Sequence, residues 1–225
     1  APADKPARLV APDEPIQVLG PPPRFVGRGG EKLEGALARF AIDVAGRRAA
    51  DLGASTGGFT DCLLQRGAAE VVAVDVGYGQ LHERLRADPR VVVRERTNVR
   101  GLVPGDLGPS AEVLVADLSF ISLRTVLPSV LPLAAPGADV VLLVKPQFEA
   151  GRHEAARGKG VITDPAIWRR VLEDVAAALE AGAAAIMGVM ASPLTGADGN
   201  VEFLLYARTA PARAAVPART LIDTA

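Results

Sequence analysis

Between a short apolar run and a helix-forming one lies Asp51-Leu52-Gly53-Ala54-Ser55-Thr56-Gly57-Gly58. Glycines there let the backbone turn with positive φ and approach a ligand closely, and the N-terminus of the following helix offers free N–H groups. Three ligand classes use such a turn, and spacing separates them. A phosphate-cradling loop needs G-x-x-x-x-G-K-[ST], whereas Gly53 leads to Gly58-Phe59-Thr60 with no lysine. The dinucleotide fingerprint needs G-x-G-x-x-G, and Ser55 stands at its second glycine, which leaves NAD the weaker alternative. The pattern that fits is an acid two residues before the first glycine, then small residues at alternate positions: Asp51, Gly53, Ser55, Gly57. That is the arrangement of S-adenosylmethionine (SAM) sites, with Asp51 facing the cationic methionine end of a ligand that has no phosphates. Asp75 follows 24 residues after Asp51, at the end of the next strand, where a carboxylate accepts both ribose hydroxyls of either nucleoside. The expected cofactor-binding set is Asp51, Gly53, Ser55, Gly57, Gly58, Phe59, Asp75, Asn98 and Asp117. Asn98 can meet the adenine edge or the ribose, or can instead form an Asx turn.

Asp117 and Lys145 each end an apolar run, so both emerge at the carboxyl edge of the sheet, where open α/β folds bind ligands. Of the 25 basic residues only four are lysine: Lys5, Lys32, Lys145 and Lys159. An amine that can lose its proton is needed where a guanidinium would not serve. Lys32 opens the first helix and Glu202 the last strand, and spacing alone gives neither a role.

The elements that must position these residues are short β-branched runs alternating with helical patterns. Strands are expected at 49–52, 71–75, 91–93, 113–117, 138–145, 186–190 and 201–206, and helices at 31–41, 58–66, 79–87, 122–134 and 165–181. Asp164-Pro165 supplies an N-cap and first turn for the last helix. Such alternation implies βαβ units and a Rossmann-like α/β fold with a mainly parallel seven-stranded sheet. The two final strands are too close for a helical crossover and are therefore antiparallel. Residues 1–23 carry seven prolines and read as the edge of another module plus a stiff linker. Residues 209–225, rich in alanine and proline, read as a frayed or disordered tail.

The chain has 225 residues, 49% hydrophobic, which is enough for one sizeable domain, placed here at 24–208. It begins at Ala1, so it is processed or a piece of something longer. A net charge of -1 excludes a globally basic nucleic-acid protein but not a local basic face. Residues 84–100 offer one: Arg84, Arg86, Arg90, Arg94, Arg96 and Arg100 against Asp88 and Glu95. Arg152 to Lys159 offers a second, as a basic loop. One cysteine and two histidines leave neither a disulfide framework nor a cysteine-built zinc site, so no metal is expected and the expected location is cytoplasmic. No apolar run reaches the roughly 18 residues of a membrane span.

Seven ordered segments resemble the TlyA family within the FtsJ-like superfamily. They are Phe25 to Leu33 (FVGRGGEKL), Asp51 to Asp61 (DLGASTGGFTD), Asp75 to Leu81 (DVGYGQL), Arg96 to Arg100 (RTNVR), Ala116 to Ser122 (ADLSFIS), Val144 to Glu149 (VKPQFE) and Gly199 to Leu204 (GNVEFL). The resemblance implies a SAM-dependent methyltransferase acting on the ribose 2'-hydroxyl of cytidine in 16S and/or 23S ribosomal RNA. It implies a catalytic tetrad, matched here by Lys32, Asp117, Lys145 and Glu202, and ribosomal RNA or ribosomal subunits as partners. Lys145 would be the general base, or the cation stabilising a developing alkoxide. Family members carry an N-terminal S4-type RNA-binding domain, of which Lys5 to Gly20 resembles the closing segment. The family commonly has serine where Gly27 stands. Readings of another class are a nicotinamide-dependent oxidoreductase, a SAM-binding module without catalysis, and the membrane-damaging hemolysin of the family's other label. The complete tetrad argues against a purely binding role, and the lack of apolar spans or a long basic amphipathic helix argues against membrane action.

Overall fold

The computed structural model describes residues 23–151, 154, 156, 158, 160–196, 198–210 and 218–222. The remnant and linker expected over 1–23 thus lie outside the described residues, apart from Pro23. The strands are Arg48–Leu52 (β1), Glu70–Val74 (β2), Val91–Arg94 (β3), Ala111–Ala116 (β4), Ala134–Val144 (β5), Ala184–Ala191 (β6) and Phe203–Thr209 (β7). The helices are Gly29–Arg39 (α1), Gly58–Gln65 (α2), Glu83–Arg86 (α3), Leu123–Val130 (α4), Pro146–Glu149 (α5), Pro165–Ala181 (α6) and Ala218–Ile222 (α7). One seven-stranded sheet has the order β3-β2-β1-β4-β5-β7-β6, with β7 antiparallel to both of its neighbours and the other pairs parallel.

Local chemistry explains the elements. In α1 the apolar residues Leu33, Ala36 and Leu37 recur at helical spacing and are buried. The N-cap Asp164 opens α6 by accepting a 2.8 Å hydrogen bond from the Ala166 N–H, and Pro165 fills a first-turn position that needs no donor. The helix expected over 79–87 shrinks to four residues, since Gly77 and Gly79 stand in the turn before it and His82 Nδ1 caps its start by accepting from Arg84 N. Strand β5 starts earlier than expected, and the pairing of β4 with β5 shifts register between Ala111 and Val113. Within the segment expected to be a frayed tail, α7 packs on α6 and β6, and its Ile222 joins the core.

The sheet separates two apolar layers. One contains Ala50, Leu52, Val72, Val74, Leu114, Ala116, Val140, Leu142 and Val144 with α4 and α6. The other contains Ala49, Val71, Ala73, Val113, Val115, Val141, Leu143 and Leu204 with α1 and α2. Alternate residues of each central strand therefore face opposite layers, as a pleated strand requires.

Where β1 ends, Gly53 takes φ +88, and its N–H donates to the Val74 carbonyl at 2.8 Å. A Cβ there would collide with the Asp117 carbonyl oxygen. Gly53→Ala combines a left-handed backbone with a backbone clash and should cost at least about 2 kcal/mol. Urea denaturation of the two proteins measures that loss.

Candidate active site

Five of the candidate residues follow from strand ends. The last registered pairs of the parallel strands are Leu52 with Val74 and Leu52 with Ala116, so Gly53, Asp75 and Asp117 leave the sheet side by side. The antiparallel pairing of β5 with β7 closes at Val144 with Phe203. One residue beyond that pair, Lys145 and Glu202 leave the same edge.

Lys145 Nζ lies 2.6 Å from Asp117 Oδ1 and donates to Ser119 Oγ at 2.8 Å. The Phe148 ring centroid is 5.9 Å from it, within cation–π range. Lys32, in the first turn of α1, forms an ion pair with Glu202, and both are buried. A Cβ at Gly29, which begins α1, would be 3.7 Å from Asp117 Oδ2, so the start of α1 abuts the Lys145–Asp117 pair. The four residues thus form two ion pairs whose formal charges cancel, brought together by α1, β4, β5 and β7. Removing one member of a buried pair such as Lys32–Glu202 leaves the other charge uncompensated.

Beside them is a cavity of about 510 Å³ lined by Gly53, Ser55, Asp75, Asn98, Asp117, Phe120 and neighbours that include Thr97, Arg100 and Ser119. Asp75 is held from below: its Oδ2 accepts from the Ser55 N–H at 2.8 Å and its Oδ1 from the Gly77 N–H at 2.7 Å. Each oxygen keeps a further lone pair. Asn98 makes the Asx-type turn, its Oδ1 accepting from Arg100 N at 3.1 Å, while the residue still lines the cavity. Gly57, Gly58 and Phe59 do not line it. A Cβ at Gly57 would strike Leu85 and Leu81, one at Gly58 would lie 2.9 Å from Gly30 N, and Phe59 is buried in the core. These three pack the turn and α2 into place.

Asp51 is fully buried and does not line the cavity either. Thr60 Oγ1 donates to its Oδ2 at 2.6 Å, and Oδ1 has no hydrogen-bond partner. Burial, seconded by the nearby Asp117 charge against the Thr60 bond, pushes its carboxyl up to about 7.

Sequence reasoning missed two contributors. Ser119 stands inside a quoted segment but received no role. Glu149 is buried at the end of α5, where its Oε2 accepts from Ser122 Oγ at 2.5 Å and its Oε1 from Leu123 N at 2.6 Å. Burial raises the Glu149 carboxyl pKa, and those two bonds oppose the rise. The basic face of 84–100 is partly neutralised: Arg84 pairs with Asp61, Arg86 with Glu95 and Arg90 with Asp88. Arg96 stacks over Tyr78 at 4.3 Å and Arg100 reaches the cavity. Of the loop Arg152 to Lys159, the residues Arg152, Arg157 and Lys159 lie outside the described ones.

The arrangement is a cavity lined by the carboxylates of Asp75 and Asp117, with Lys145 paired to Asp117 beside it. The model of the FtsJ-like methyltransferase family matches residues 25–209. The chain is 54% identical over 214 residues to the 16S/23S rRNA (cytidine-2'-O)-methyltransferase TlyA of Mycobacterium tuberculosis, covering 95% of this chain and 80% of that one. It is 40% identical to Hemolysin A of Brachyspira hyodysenteriae, covering 81% and 76%. Among solved structures, a protein from Lactococcus lactis described as a hemolysin superposes with a TM-score of 0.84 at 38% identity, covering 89% of this chain and 98% of that one. With its strand-end carboxylates, its paired lysines and these likenesses all in one stretch of sequence, the chain belongs to the FtsJ-like methyltransferase family.

Proposed function

We propose that this protein transfers a methyl group from SAM to the ribose 2'-hydroxyl of a cytidine in ribosomal RNA of the small subunit, the large subunit or both, and so works in the cytoplasm. The observation that carries this reading is Lys145 Nζ, 2.6 Å from Asp117 Oδ1, where Asp117 lines the same cavity as Gly53 and Asp75. The cytidine-2'-O-methyltransferase activity named for the TlyA relative supports the substrate. The cavity fits a nucleoside sulfonium: Asp75 has lone pairs to spare for two ribose hydroxyls, Gly53 keeps backbone close to the ligand, and Asp51 and Asp117 favour positive charge. When bound, SAM supplies the electrophilic methyl carbon.

The protein's own residues do the rest. Placement of the acceptor hydroxyl against the bound ligand supplies much of the acceleration. As a base, Lys145 must first give up its own proton, and the neutral amine then accepts the 2'-hydroxyl proton on Nζ; Asp117 holds that amine, and the Lys32–Glu202 pair fixes α1 against β7 in a charge-balanced surround. The contact with Asp117 favours a second reading, in which Lys145 remains an ammonium and stabilises the developing alkoxide. Arg94, Arg96, Arg100 and the loop Arg152 to Lys159 would hold RNA phosphates, contacts that position without reading sequence. The likeness of residues 5–20 to the closing segment of an S4-type domain supports a second RNA-binding module preceding the transferase domain of 24–208. A nicotinamide oxidoreductase is disfavoured by Ser55, which stands where the dinucleotide fingerprint needs its second glycine. Among the described residues no helix is long and apolar enough to cross a membrane.

Three outcomes test the reading. Asp75→Ala should weaken SAM binding by about tenfold or more in calorimetry, with the folded circular-dichroism spectrum retained. Lys145→Arg separates the two lysine roles, since guanidinium stays protonated. If Lys145 is the base, single-turnover transfer to ribosomal subunits falls by roughly 10²- to 10⁴-fold with SAM binding retained, and a near-wild-type rate would assign the cationic role. The third concerns Asp51, whose carboxyl titrates at about 7 in the ligand-free protein. A cationic ligand favours the ionised form, so affinity is highest above that pH and is lost as pH falls through it, by at most about tenfold per unit. SAM calorimetry from pH 6 to 8 should show this slope, and Asp51→Asn should abolish it.

A further inference from the structure

We propose that Ser119 is a positioning residue for methyl transfer, acting through Lys145; this rests on the reading that Lys145 meets the ribose oxygen. A lysine amine sits on a flexible four-carbon stem and is a poor director of its own donors. Asp117 Oδ1 lies 2.6 Å from Nζ without a hydrogen bond between them, so that ion pair holds the amine by charge and leaves its donors free to turn. The directed contact is Nζ donating to Ser119 Oγ at 2.8 Å, two residues further along the same segment. That bond fixes rotation about the Cε–Nζ bond and so gives the remaining positions on Nζ a defined direction. In a neutral amine one of them is the lone pair, and in an ammonium both are N–H groups, so the orientation serves either lysine role.

The segment that carries Ser119 is itself pinned at both ends. Asp117 N–H donates to the Leu52 carbonyl at 3.0 Å, and Leu123 N–H donates to the buried Glu149 at 2.6 Å. Between them Phe120 holds a left-handed backbone, φ +63, which a bulky side chain adopts only where the surroundings enforce it. Ser119 lines the cavity together with Asp117, so its hydroxyl joins Lys145 to the place proposed for the methyl donor.

The test uses the whole chain with Ser119→Ala and Ser119→Thr. The protein has only four lysines, so ¹³C-lysine NMR resolves Lys145, assigned by its loss in Lys145→Arg. In Ser119→Ala the Lys145 ε-methylene should gain the mobility of a surface lysine, and Ser119→Thr, which keeps the hydroxyl, should not. In methyl transfer to ribosomal subunits, Ser119→Ala should lower kcat about tenfold at unchanged KM for SAM, with Thr restoring most of it. In a Lys145→Ala background the same change should add no further loss. Unchanged Lys145 mobility in Ser119→Ala, or an equal loss in the Lys145→Ala background, would overturn the proposal. Should Lys145→Ala transfer as fast as wild type, the catalytic reading of Lys145 fails, and the NMR result still decides whether Ser119 orders it.

Discussion

Successive side chains of a β-strand leave on opposite faces, and in this sheet that rule decides which helices the ionisable groups can meet. Ala49, Val71, Ala73, Val113, Val115, Val141, Leu143 and Leu204 all face the layer that holds α1 and α2. Counting on by two along each strand reaches Asp51, Asp75, Asp117 and Lys145, and counting back from Leu204 reaches Glu202. All five therefore share the parity of the α1/α2 face. That is why Lys32 of α1 can pair with Glu202 and Thr60 of α2 can bond Asp51. A slip of one residue in β4 or β5 would turn Asp117 or Lys145 toward α4 and α6 instead.

Once the groups share a face, their charges must be settled there. Taking ions out of water is expensive unless each finds a partner, and the tetrad meets this with two cation–anion pairs. Asp51 is the exception. Burial and the neighbouring Asp117 and Asp75 carboxylates raise its pKa, and the bonds from Thr60 oppose the rise. A positive charge brought near it would favour the ionised form.

Short β-branched runs alternating with helical patterns made the seven strands legible, because strands covered by helices on both faces are apolar throughout, and the short span before the final strand excluded a helical crossover. The Asp164 cap likewise announced α6 within its own four residues. Boundaries moved where tertiary packing extended β5 through Pro136 and Gly137 or where glycines cut α3 short. The chemistry was less evenly readable. Asp75, Asp117 and Lys145 stand at strand ends, so position alone recommended them. The Lys32–Glu202 pair spans 170 residues, and only the family likeness suggested it. Gly57, Gly58 and Phe59 were assigned to the ligand because a glycine needed for packing and one needed for ligand approach look the same in sequence. Ser119, in a loop, and Glu149, at the end of a four-residue helix, act through a few polar contacts, which leave no periodicity to detect.

The position of β7 has a kinetic consequence. It is the last strand in sequence yet lies between β5 and β6 in space, so the edge of β5 has no partner until residue 203 and those after it have been synthesised. A nascent chain that stops short of residue 202 already contains the turn after β1 and the carboxylates after β2 and β4. It lacks Glu202, and with it the counter-charge that allows Lys32 to be buried. Such long-range pairing is slow because loop closure precedes any gain from contact. Vectorial synthesis therefore delays the pairing of Lys32 with Glu202 until after every other charged residue of the site has been made.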